Sequence, residues 1–114
     1  MRRADIPNWP SFFEQFRRRP GMWFGCPSLT GMEFTIRGIQ TAEEIHGVES
    51  GKRLGGFTFD AFEIWVHELF NLGQLSVNSF HLARLRTETE EGAFFPWFDW
   101  YDQFHSQRGE TQAL

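Results

Sequence analysis

The sequence predicts an all-α protein, a compact bundle of about five helices. Three observations predict it. Large apolar residues recur at spacings of three and four in five segments. Capping-type residues (Asn8, Ser28, Asp60, Asn78, Thr89) stand at or near the start of each segment. No alternating apolar–polar pattern long enough for a strand interrupts them.

Trp9, Phe12, Phe13 and Phe16 define the first helix. Asn8 is placed to cap it, and Pro10 sits where a missing N–H costs little. It should end before Pro20, because the residue before a proline avoids helical angles. Arg17, Arg18 and Arg19 then fall at its end, where cations complement the helix dipole, with binding of a partner or a phosphate as the functional alternative. Between Gly21 and Gly25, Met22-Trp23-Phe24 reads as a short extended piece.

Ser28 is the expected cap of the second helix. Its buried stripe is Leu29, Met32, Ile36 and Ile39, continuing through Ala42 and Ile45 to a stop near Gly47. Gly31 and Gly38 interrupt it at about 1 kcal/mol each relative to alanine, which suggests a close-passing neighbour. Residues 49–56 read as a loop. The third helix starts at Thr58 or Asp60, with Asp60 and Glu63 in capping-box spacing. It buries Phe62, Trp65, Val66 and Leu69 and ends at Asn71-Leu72-Gly73. Ser76 or Asn78 opens a fourth helix carrying Phe80 and Ala83, with Leu82 and Leu85 as further apolar positions. Thr87 or Thr89 opens the last, whose stripe of Phe94, Trp97, Phe98, Tyr101 and Phe104 is the strongest in the chain. Pro96 should either kink that helix or mark its first turn. The polar tail from Ser106 to Leu114 should fray.

At 114 residues the chain is expected to form one domain, residues 1–114, with an ordered core at 8–105. Fourteen Phe and five Trp supply that core cheaply, since each buried ring removes roughly 150–250 Å² from water. A lone cysteine, Cys26, suits a reducing, cytoplasmic setting, and a small packed thiol is its ordinary role. The charged stretch Met1–Pro7 leads into no apolar run, unlike a signal peptide, and no segment is long and apolar enough to span a membrane.

The net charge of −4 is unevenly spread. Residues 1–37 carry +3 and residues 60–114 carry −6. An acidic half disfavours nucleic acid, whose binding depends on neutralising phosphate. It favours a basic protein partner. The candidate contacts are Glu88, Glu90, Glu91, Asp99 and Asp102, with Trp100, which falls off the main stripe, as an exposed aromatic anchor. A helix so rich in rings must be central in the bundle or covered by a partner, and a second copy forming a homodimer is one such cover.

Catalytic patterns fail on spacing. His67-Glu68 begins like a zinc-protease helix, but Asn71 stands where the second histidine belongs. His46, His81 and His105 lie in three other segments without ligand spacing. No Gly-x-Ser-x-Gly elbow occurs, and Lys52 lies outside any Walker spacing. Asp99 and Asp102 could form an acid–base pair, but carboxylates on a solvated face are the ordinary reading. No catalytic residue, metal site or cofactor is expected.

The run Arg19-Pro20-Gly21-Met22-Trp23-Phe24-Gly25 carries a resemblance. ATPase subunits of type II topoisomerases contain a similar run. There, however, the following helix has a Glu and, four residues on, an Asn, whereas Glu33 is followed here by Arg37. The chain more closely resembles small bacterial immunity proteins of polymorphic and contact-dependent toxin systems. The matching residues are Phe12, Phe13 and Phe16; Pro20 to Gly25; Ser28, Leu29 and Gly38; Phe62, Trp65 and Val66; and Glu90, Ala93, Phe94, Phe95 and Phe98. The resemblance implies a non-enzymatic protein that binds a cognate basic toxin, such as a nuclease, and covers its active site. A small helical adaptor or homo-oligomer is the alternative.

Overall fold

A computed structural model describes residues 8–73 and 75–113, without the side chains of residues 50 and 108–113. The charged stretch Met1–Pro7 therefore lies outside the described residues. The fold is all-α. Among the described residues six helices form: α1 (Trp9–Arg18), α2 (Pro20–Phe24), α3 (Leu29–Ile45), α4 (Phe59–Leu69), α5 (Ser79–Leu85) and α6 (Glu90–Ala113). A 3₁₀ turn, Ser50–Lys52, lies in the loop before α4. No strand occurs among the described residues. The chain divides into two compact units, Met1–Phe57 and Thr58–Leu114.

In the first unit the caps fall where the sequence places them. Asn8 Oδ1 accepts from the Ser11 N–H at 3.0 Å, and Ser28 Oγ accepts from the Gly31 N–H at 3.0 Å. Arg17 and Arg18 occupy the last turn of α1, and Arg17 pairs with Glu14 at 3.3 Å. Met22-Trp23-Phe24 is not extended. Pro20, at the first position of α2, presets a helical φ, and Gly25 stops the turn at φ 81°, its N–H bonded to the Gly21 carbonyl. The one-turn helix brings Trp23 and Phe24 onto Phe16, with ring centroids 5.2 and 5.1 Å away. The Arg-Pro-Gly-Met-Trp-Phe-Gly run is thus an aromatic clasp on α1. Cys26 is exposed, not packed, because the chain there leaves the clasp for the cap of α3.

Leu29, Met32 and Ile36 are buried, and so is Glu33, whose Oε2 accepts from Arg37 Nε and Nη2 at 3.1 and 2.7 Å. The two glycines of α3 part company. A methyl group on Gly31 would lie 3.2 Å from Phe24 Cβ, whereas one on Gly38 would meet nothing within 4 Å. Trp9 donates its N–H to the Gly55 carbonyl at 2.9 Å, tying the start of α1 to the loop before α4. Gly56 there adopts φ +84°, and a Cβ would stand 2.9 Å from the Pro10 ring. Gly56→Ala should therefore cost about 2 kcal/mol from left-handed strain plus a clash with a ring that cannot rotate away. The check is a lowered urea midpoint at unchanged slope.

The second unit is built around α6, which packs on both α4 and α5. Asn78 Oδ1 caps α5 through the His81 N–H at 2.7 Å. Thr89 Oγ1 accepts from the Gly92 N–H at 2.8 Å, so α6 begins at Glu90 and Pro96 lies inside it, past the first turn. The expected capping box at Asp60 does not form. Thr58 stands at the cap of α4 without a side-chain bond. Glu63 caps the neighbouring helix instead: its Oε2 accepts from the Ser79 N–H and its Oε1 from Ser79 Oγ, both at 2.6 Å. Nor does the chain fray at Ser106, since α6 runs on to Ala113. Extending a formed helix needs no new nucleus.

Candidate partner-binding face

Among the described residues of the second unit, eleven apolar ones are buried. Seven of them lie on α6: Ala93, Phe94, Trp97, Phe98, Trp100, Tyr101 and Phe104. Trp97 is their hub. Its ring stacks on Phe80 at 5.2 Å and 12°, meets Phe62 edge-on at 5.3 Å, and stacks on Tyr101 at 6.1 Å. Its Nε1–H donates to Ser79 Oγ at 2.9 Å. A polar chain from Glu63 through Ser79 to Trp97 therefore joins α4, α5 and α6 inside an aromatic core. The sequence shows Glu63 and Ser79 sixteen positions apart, and no local pattern pairs them.

Trp100 is only 7% exposed, which corrects its reading as an exposed anchor. Packing on two helices widens the buried arc of α6 beyond one stripe. Phe70, just past α4, covers Trp100 at 5.2 Å in an edge-on contact. Arg86 lies over the same Phe70 ring, 5.0 Å from its centre. The surplus of rings on α6 is thus absorbed largely within the unit.

The outward charged residues of α6 from Glu90 to Asp102 are all acidic. Glu91, Phe95, Asp99 and Asp102 are all exposed, and at 100° per residue they share one arc. That arc is about 80° wide and the stripe about 16 Å long. Phe95, 47% exposed, sits between the carboxylates and takes the aromatic position that Trp100 vacates. The alternation Glu-Phe-Asp-Asp at steps of four, four and three was available in the sequence, but the stronger ring pattern overlies it. Glu88 and Glu90 are also exposed, at the start of the helix and off this arc. Glu90 and Glu91 occupy the first turn, where negative charge also favours the helix dipole. Like charges along one face cost stability unless an opposite charge approaches.

A cleft of about 500 Å³ beside α4 is lined by Glu63, Ile64, His67, Glu68, Asn71 and Gly73. Its chemistry is committed to the fold. Glu63 is held by Ser79, and His67 Nε2 donates to the Val77 carbonyl. Ser79 is fully buried, its hydroxyl given to Glu63 and its lone pair to Trp97. The serine, the imidazole and the carboxylate lie near one another, yet the serine has neither access to solvent nor a proton to give a base. His81 and His105 are exposed, the latter stacked on Tyr101 at 5.7 Å. No three His, Cys, Asp or Glu side chains gather as a metal-holding group among the described residues. Among them, too, no helix is long and apolar enough to cross a membrane.

Comparison of the chain with protein-family models, with curated proteins and with solved structures finds no match.

Proposed function

We propose that this chain is an immunity-type protein that binds a cognate basic toxin domain, a nuclease being the leading kind, and covers its active site. The observation that carries the reading is the outer face of α6, where Glu91, Asp99 and Asp102 surround the exposed Phe95. Carboxylates of this kind attract a cationic groove over distance, and an aromatic residue at their centre supplies contact area once water is expelled. The −6 charge of residues 60–114 adds a field of the same sign. The resemblance of the Arg19–Gly25 run and its following helices to immunity proteins supplies the class of partner. In this reading the chain performs no chemistry of its own, holds no cofactor or metal, and acts in the cytoplasm, where the toxin arrives.

The test begins with the gene neighbourhood. A toxin domain encoded beside this chain is produced with and without it, and co-production restores growth. Purified together, the two associate at a rate that falls by about tenfold or more between roughly 50 and 500 mM salt. A salt-independent rate removes the electrostatic reading, and a toxin unaffected by the chain removes the immunity reading.

A further inference from the structure

The first unit presents a helix face that its own residues leave open. On α3, Phe34, Gly38, Thr41, Ala42 and Ile45 are all exposed, Phe34 by 67% and Ile45 by 75%. At 100° per residue they fall within an arc of about 100°. Gly38 lies near the middle of that arc, and a methyl group there would meet nothing within 4 Å. The fold of one chain therefore gives no reason for a mid-helix glycine. Phe34, Gly38, Thr41 and Ile45 run large, small, small, large, an order that reads the same in both directions, with Ala42 on the flank of the face.

A palindromic face fits its own copy related by a two-fold axis, because an isologous interface pairs residue i with j and j with i. We propose that two copies of this chain associate through α3, antiparallel, with the axis between Gly38 and Thr41. Phe34 of each copy then rests on Ile45 of the other, and the Gly38 backbones approach closely in the middle. The charges agree with this register. Arg37 and Glu44 are both exposed, on the same flank of the face. The two-fold axis brings Arg37 of one copy within about 3 Å, measured along the helices, of Glu44 of the other, and repeats the pair. Arg37 already bonds Glu33 through Nε and Nη2 and keeps its Nη1 donors for this contact. One helix pair covers less than the roughly 800 Å² per partner of a standard interface, so the dimer is weak and dilution separates it.

Sedimentation velocity of the full chain from about 1 to 500 μM reads this directly. The wild type shifts towards dimer as concentration rises. Ile45→Glu, at an exposed position that leaves the circular dichroism unchanged, raises the dimer dissociation constant by about tenfold or more. In a Cys26→Ser background, Phe34→Cys mixed with Ile45→Cys forms a disulfide under mild oxidation. Phe34→Cys alone does not, because two copies of position 34 lie about 16 Å apart along the pair. A wild type that stays monomeric throughout overturns the proposal. So does a dimer that Ile45→Glu leaves intact, or cross-linking that is equal in the mixed and single samples.

Discussion

Trp97→Ala should cost about 3–5 kcal/mol and remove most of the ordered packing of the second unit. The ring is fully buried and touches all three helices of that unit through Phe62, Phe80 and Tyr101. Truncation leaves a cavity that three helices cannot close together without moving apart elsewhere. It also strips Ser79 Oγ of the Nε1–H that it accepts, in a place no water reaches. Trp97→Phe separates the two effects. It keeps most of the ring and loses the hydrogen bond, so it should cost only about 1–2 kcal/mol. Chemical unfolding followed by near-ultraviolet circular dichroism measures both. If alanine and phenylalanine cost the same, the hydrogen bond, and not the packing, dominates at this position.

Elements with a local cause were legible in the sequence. The Asn8, Ser28 and Asn78 caps each need only a side-chain oxygen three residues before an amide, and the stripes of α1, α6 and the first half of α3 need only a period of 3.6, whereas Ala42 and Ile45, which the period also assigns to the buried stripe of α3, are exposed. Features set by tertiary neighbours were not. Glu63 three residues after Asp60 satisfies a capping-box pattern locally, but two short hydrogen bonds to Ser79 outweigh it. Met22-Trp23-Phe24 lacks the length of a helix, and docking on the α1 rings Phe12 and Phe16 is what makes one turn worth forming. Trp100 looked surplus because its cover, Phe70, lies thirty positions earlier, just past the end of α4. The candidate site followed the same division. Glu91, Asp99 and Asp102 are charged, so their exposure was readable from type alone. Phe95 was harder to read: it falls off the Phe94–Phe104 stripe, but so does Trp100, and nothing local says which of the two rings stays exposed.

Reversing the charge of that face is the sharpest functional test. Glu91→Lys, Asp99→Lys and Asp102→Lys together change the net charge by +6 on a stripe about 16 Å long. All three positions are exposed, so the fold should tolerate the change. Steering by complementary charge is worth about 10–1,000-fold in association rate, and a reversed face repels the same groove. The triple variant should therefore bind a basic toxin partner about 100-fold more slowly or worse at low salt, with the deficit shrinking as salt is raised. Phe95→Ala should act differently. It removes contact area and no charge, so it should speed dissociation by about tenfold or more and leave the association rate nearly unchanged. Glu49→Lys, at an exposed acid of the first unit, should do neither. Stopped-flow and surface-plasmon kinetics resolve the two rates. Glu49→Lys changes the charge by +2, one third of the triple variant's change, so a Glu49→Lys loss one third as large on a logarithmic scale would place the attraction in the overall charge of the chain and not in the outer face of α6.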